Sequence, residues 1–327
     1  MIFKLGFGPM STEIIDILCN YSHNTQSPLM LIASRNQIDA NSGYVMTTPK
    51  LATQLSSNNT DYLLTCRDHC GPYFLDNEKT LSLSNAIKAT KKTIAYDIEQ
   101  GFDLIHIDTS RVDDTYGIAE ELIKFSLNLN PNIKFEFGTE ENVGVAAGAI
   151  RYKEDVAFAK QFSNMEFVVA QTGSLVYEDH QAGTFEDTTV RQLVALADAN
   201  NIKLKEHNAD YLASNEIQLR KLAGVHALNI APQLGVIQTK LLESLARDYQ
   251  LCGMWDNFAT TVLDSQKWKK WTKTDNTNIR VHVAGHYCFA SSAYKRLIDE
   301  INKHTQWEEQ LSLEMYKLLD LYVGNIG

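Results

Sequence analysis

Three histidines in this sequence, His69, His180 and His207, stand beside carboxylates: Asp68 precedes the first, Asp179 the second and Glu206 the third. Neutral imidazoles brought together make an open, zinc-type site that leaves a coordination position for substrate oxygens. Each ring needs an acceptor for its other N–H, and Asp179, Glu206 and Asp210 are the neighbouring carboxylates that supply one. A lone histidine is more often a hydrogen-bonded core or loop residue. His23, His226, His282, His286 and His304 are read that way. His69, His180 and His207 depart from that reading jointly, if the fold gathers them.

A fold that does so is legible in the spacing of apolar runs. Eight short β-rich runs recur: Ile2–Gly6, Leu29–Ala33, Tyr62–Cys66, Leu104–Ile107, Lys134–Phe137, Phe167–Ala170, Ile202–Lys205 and Ala227–Ile230. Each interval holds one amphipathic stretch, the βαβ rhythm of a parallel sheet. Thr80–Gln100 has helical spacing and stops at Gly101; Ser214–Lys221 stops near Gly224. No G-x-G-x-x-G follows the first run, and polar residues follow many runs instead of one switch point. The expected class is therefore α/β, a (β/α)₈ TIM barrel, with working residues at the carboxy ends of its strands. Those ends carry Ser34 and Asn36, then Asp68 and His69, Asp108, Glu140, His180 past the sixth run, His207 and Asn229. A single domain is expected over residues 1–327, its core about 1–240 and a carboxy-terminal extension about 241–327. In the extension Leu241–Tyr249 reads as helical, Ile279–Val283 as an extra strand and Trp307–Tyr322 as a closing helix.

Composition narrows the function classes. The 327 residues are 44% hydrophobic and 21% charged, an ordinary globular mix. A net charge of −10 argues against general affinity for nucleic acid or anionic membrane, while leaving room for a local basic pocket for one phosphate. The five scattered cysteines do not form a disulfide framework, so a reducing cytoplasm is the expected compartment. Cys66 and Cys70 read as small buried thiols, there being no second C-x-x-C pair to complete a zinc site. The first ten residues contain no apolar core of a signal peptide, and no run reaches membrane-spanning length. Trp255, Trp268, Trp271 and Trp307 in the extension are more large aromatics than a barrel exterior needs, which raises the expectation of a homo-oligomer.

Several blocks carry a resemblance to a known family. Ile32-Ala-Ser-Arg-Asn-Gln37, Gly43-Tyr44, Thr48-Pro49, Arg67-Asp-His-Cys-Gly-Pro72, Gly101-Phe-Asp-Leu-Ile-His-Ile-Asp108, Phe137-Gly-Thr-Glu140 and Glu206-His-Asn-Ala-Asp-Tyr211 look like the tagatose-bisphosphate aldolase accessory-subunit family. That family is similar in fold to the class II, metal-dependent ketose-bisphosphate aldolases and includes ketose or keto-sugar-acid 4-epimerases. The similarity covers roughly residues 1–240. Carried over by position, it implies His69, His180 and His207 as ligands of one divalent ion: zinc first, with manganese, cobalt or nickel as alternatives. It implies Asp68 as the catalytic acid/base, and Asn229, in Leu228-Asn-Ile-Ala-Pro-Gln233, as a holder of the ketose part of the substrate. Ser34, Asn36 and Asp108 join Asn229 as substrate-binding candidates. Two departures stand out: the segment from Gln171 to His180 is longer than the aldolase equivalent, and Asn208-Ala-Asp-Tyr replaces the glycine-rich phosphate loop after the seventh strand.

Such groups suit retro-aldol chemistry. A carboxylate beside the metal accepts the C4 hydroxyl proton, the C3–C4 bond breaks, and a Lewis acid stabilises the charge left behind. Release of the aldehyde makes an aldolase; turning it over and re-adding it makes a 4-epimerase. The substrate is then a ketose, a ketose phosphate or a keto-sugar acid. Glu140 is either a second catalytic carboxylate (fourth ligand or proton relay) or a solvated loop acid. Two further classes stay open: a non-catalytic accessory partner of a separate aldolase subunit, and a metal-independent sugar-binding protein.

Overall fold

The computed structural model describes residues 4–138, 144–146 and 149–326. Among them, eight parallel strands close into a barrel: β1 Leu5–Phe7, β2 Leu29–Ser34, β3 Leu63–Cys70, β4 Leu104–Asp108, β5 Lys134–Gly138, β6 Met165–Val169, β7 Lys203–Glu206 and β8 Ala227–Ile230. Each strand pairs with its sequence neighbours, and β1 pairs with β8 to close the ring. A helix follows each: α1 Thr12–Thr25, α2 Thr48–Ser56, α3 Leu83–Glu99, α4 Thr115–Leu129, α5 Ala149–Ala159, α6 Asp187–Asp198, α7 Ser214–Ala223 and α8 Pro232–Asp248. Local chemistry marks their ends. The Ser11 hydroxyl accepts the Ile14 N–H to start α1, and Gly224, at φ +89°, ends α7 in the left-handed conformation that glycine adopts at no steric cost.

Strand alternation sorts side chains into two layers. In β5, Phe135 and Phe137 point outward, where Phe137 packs on Phe158 of α5 with ring centroids 4.8 Å apart. Glu136 and Gly138 face the barrel interior, since successive residues of a strand point to opposite sides. The lower interior is filled by Met30, Ile32, Cys66, Leu104, Phe167 and Ala227, all buried. Lys205 and Glu136 bring a fully buried ion pair into the same interior, and a second charge is buried outside the ring of strands. Arg67, outward on β3, is fully buried; its guanidinium grips both Asp97 carboxylate oxygens (2.6 and 2.7 Å) and donates to the Ala33 and Ile38 carbonyls, tying β3 to α3 and β2.

The extension is helical: α9 Cys252–Asp264, α10 Thr277–Ala284, α11 Ser292–Ile301 and α12 Trp307–Ile326, with 3₁₀ turns at Lys267–Lys270 and Gly285–Cys288. The expected strand Ile279–Val283 lies within α10. Its β-branched residues favour a strand, but Asn276 accepts the N–H groups of Asn278 and Ile279 as an N-cap, and Val281 and Ala284 fall buried on one helical face. Trp255 and Trp307 are buried inside the extension, so packing accounts for half of the four tryptophans. The Tyr322 hydroxyl of α12 donates to the Ala209 carbonyl at 2.6 Å and accepts the Leu212 N–H at 3.3 Å. Lys4 Nζ donates to the Ile326 carbonyl at 3.3 Å, so the two ends of the described chain meet. Among the described residues, no helix is long and apolar enough to cross a membrane.

Candidate metal centre and substrate pocket

Asp68 and His69 are consecutive, yet both reach one site at the barrel mouth. A regular strand would send them to opposite faces. The pairing of β3 with β4 shifts register between Arg67 and Cys70, and His69 takes a positive φ of +47°, so the bulge turns its ring inward beside Asp68. Gly71, just beyond, permits the crowding: a Cβ there would lie 1.6 Å from the Asp108 carbonyl oxygen. His106 and Asp108 arrive from β4, two residues apart on one face, and Lys205 and His207 do the same at the end of β7.

Asp68, His69, His106 and His207 form a group whose ligand atoms all lie within 4.8 Å of one another. The three imidazoles form a near-equilateral triangle, with ring centroids 5.2, 5.4 and 5.1 Å apart. His69 Nδ1 lies 2.7 Å from Asp108 Oδ2, and its Nε2 lies 3.6 Å from Asp68 Oδ2. His207 Nε2 lies 2.6 Å from Glu136 Oε1, while Lys205 Nζ donates to Glu136 Oε2 at 2.6 Å. His106 Nδ1 is 3.2 Å from both the His69 backbone N–H and Asp68 Oδ1.

Burial and charge set the protonation states. Burial raises the pKa of Glu136, but Lys205 and the imidazoles outweigh it and hold the carboxyl well below its usual range. Asp68 is likewise pushed up by burial and held low by His69, His106 and His207. Burial keeps His207 below its ordinary value, hence neutral. An ionised Glu136 is acceptor-only, so neutral His207 must give it the Nε2 proton, leaving Nδ1 as the lone-pair nitrogen. For His69, burial lowers the pKa, but Asp68 and Asp108 overcome it and raise the value to about 9.

A divalent metal fits this donor set. Three imidazoles and one carboxylate suit zinc and its first-row neighbours. His106 Nε2 is buried with no hydrogen-bond partner among the described residues, an expense proteins rarely carry without use.

The sequence candidates divide accordingly. Asp68, His69 and His207 converge. His180 does not join them; its place in the triangle is taken by His106. The segment after β6 folds into a hairpin, Val176–Tyr177 against His180–Gln181. Gln181 ties the hairpin to the loop after β7, donating to the Asn208 and Asp210 carbonyls at 2.9 Å and accepting the Leu175 N–H. Its neighbour His180 is exposed, its ring against Tyr177. The carboxylates expected to orient the rings are also engaged elsewhere: Asp179 with Lys240, Glu206 with Arg220, and Asp210 with the Ala231 and Gln233 N–H groups at the start of α8. Glu136 and Asp108 orient the rings instead. Glu140 lies outside the described residues. Cys66 and Cys70 are buried free thiols, with burial pushing Cys70 up to about 12.

Above the triangle opens a cavity of 390 Å³, the size of a small-molecule site. Ser34, Asn36, Asp108 and Asn229 all line it. Ser34 donates to Gln37 Oε1 at 2.8 Å, and Asn36 donates to the Phe74 carbonyl at 2.9 Å. Asn229 is buried with neither amide atom partnered among the described residues, the arrangement of a group that waits for a ligand. Asp108 is a ring-orienting acceptor as well as a wall residue. The extension supplies Lys270, Trp271, His286 and Tyr287 to the same cavity.

No protein-family profile matches the sequence. Solved structures share its fold. A probable tagatose 6-phosphate kinase from Sinorhizobium meliloti 1021 superposes with a TM-score of 0.84 at 15% identity, over 98% of this chain and 99% of that one. Fructose-bisphosphate aldolase from Campylobacter jejuni gives 0.56 at 12% identity, over 99% and 89%. The YdjI aldolase from Escherichia coli K12 gives 0.53 at 12% identity, over 92% and 90%. The first of these spans the extension as well as the barrel.

Proposed function

We propose that this chain is a divalent-metal-dependent enzyme of the aldolase or 4-epimerase type, acting on a ketose, ketose phosphate or keto-sugar acid at the C3–C4 bond. The observation that carries this is a carboxylate, Asp68, set against three imidazoles at the floor of a sugar-sized cavity. His69, His106 and His207 would hold the metal, with Asp68 beside it. When bound, the metal supplies Lewis-acid polarisation of the ketose oxygens and stabilises the negative charge that builds as C3–C4 breaks.

This chain's own residues do the rest. Asp68, held ionised, accepts the proton of the C4 hydroxyl, and returns it when the carbonyl is re-added. Asp108 and Glu136 fix the His69 and His207 rings, and Lys205 fixes Glu136. Asn229 presents a free amide donor and acceptor to the substrate's hydroxyls. Two of the structural neighbours are aldolases and a third is named for tagatose 6-phosphate, which supports a sugar-phosphate reading.

Asp68→Asn keeps the shape but cannot take a proton at neutral pH. Metal content should stay near wild type, while turnover falls by roughly two to four powers of ten. Ketohexose phosphates, free ketohexoses and keto-sugar acids are each followed for the C4 epimer and for three-carbon products. Epimer without triose identifies a 4-epimerase, and triose an aldolase. A wild-type chain that makes neither, yet sustains a separate aldolase as well as Asp68→Asn does, is an accessory subunit instead.

A further inference from the structure

The cavity wall carries positive charge that the reaction does not use. Arg111 follows β4, and Lys270 ends the 3₁₀ turn of the extension; both line the cavity. Phe74 links Arg111 to the centre: its ring stacks on His69 (5.5 Å, 14°) and lies 4.2 Å from the Arg111 guanidinium. Arg111 Nη1 donates to the Tyr73 carbonyl, leaving most of its five donors uncommitted. Lys270 Nζ stands 4.7 Å from the Trp271 ring centroid. Neither forms an ion pair with a carboxylate among the described residues. The nearby acid Asp76 is already neutralised by Lys79 and Lys267, at 2.8 and 3.2 Å. On a chain of net charge −10, a pocket wall holding two unpaired cations is a local field of the opposite sign.

We propose that Arg111 and Lys270 form a subsite for a terminal phosphate monoester of the substrate. It stands in for the glycine-rich loop that is missing after β7, and is built jointly by the barrel and the extension. A carboxylate is satisfied by one bidentate arginine; two cations from separate elements, a fork and a point charge, match a dianion. This rests on the proposed ketose chemistry for the rest of the substrate, but the subsite can be tested apart from it.

The test uses the full-length wild-type protein and the variants Arg111→Gln and Lys270→Gln, both at exposed positions. Calorimetric titrations use inorganic phosphate, fructose 6-phosphate, fructose and fructuronate, with zinc content as the control for an intact centre. Wild type should bind inorganic phosphate and fructose 6-phosphate. Each variant should weaken both by roughly tenfold, with fructose binding and zinc content unchanged. Equal binding of the phosphate ligands by wild type and variants overturns the subsite, as does their failure to bind wild type. Fructuronate binding that depends on both cations, with no response to phosphate, replaces phosphate by a carboxylate and also overturns it. Variant-sensitive phosphate binding without any turnover of a ketose keeps the subsite and removes the proposed reaction. Ketose turnover indifferent to both variants does the reverse.

Discussion

His69 lies between Asp68 and Asp108, and its proton is the charge those carboxylates attract. Its folded pKa is raised to about 9 from 6.5, so the stability it contributes is fully present below about pH 6.5 and lost as pH rises through about 9. A metal ligand must be deprotonated, so ion and proton compete for this ring. Between pH 6.5 and 8.5 the apparent zinc affinity should rise by roughly tenfold per pH unit, with proton release visible calorimetrically in buffers of different ionisation enthalpy. An affinity flat over that range would remove His69 from the ligand set. Lys205 and Glu136 present the other residue-scale risk, a fully buried ion pair. Lys205→Met strands the Glu136 charge and should cost about 3–5 kcal/mol in urea unfolding; adding Glu136→Gln should recover most of it. If the double variant is no more stable than the single, the stranded charge is not the cause.

At the scale of elements, the eight βα units were legible in the sequence because apolar runs and helical spacing recur through the barrel. The strand ends were less so. Reading β3 as stopping at Cys66 placed Asp68 and His69 in a loop, whereas the strand continues through a bulge to Cys70. His106 was overlooked, although a signal existed: it stands two residues before Asp108 in a strand, hence on the same face. Glu136 carried the same signal between two phenylalanines. His180 stands apart from the triangle because position past a strand says nothing about where a long segment turns, and here Gln181 is the residue tied to the loop after β7. His106→Ala should therefore lower zinc affinity by about 10–100-fold or more, and His180→Ala should leave zinc content unchanged by elemental analysis. The opposite pattern would mean that the hairpin closes over the centre when metal binds. The extension's helices were only partly legible, since α10 is rich in β-branched residues and is set by its cap and its packing.

Across the whole molecule, the extension is bound to the barrel at the site itself. Tyr322 grips the loop that follows His207, and Lys270, Trp271, His286 and Tyr287 wall the cavity. We propose that barrel and extension are one cooperative unit. Scanning calorimetry should give a single transition whose calorimetric and van't Hoff enthalpies agree, and removal of residues 307–327 should abolish zinc binding along with the fold. A resolved lower-temperature transition that spares zinc binding would divide the chain instead.

The bond from Lys4 to Ile326 has a different kind of consequence. Because the two ends of the described chain lie side by side, the order in which the elements are strung together is separable from the order in which they surround the axis. A short linker between the termini, with a new opening near Asn302–Thr305, would make α12 the first element translated and leave every contact of the cavity in place. The peptide would then run unbroken from α12 into β1, and the chain's start and finish would move to the exposed turn between α11 and α12.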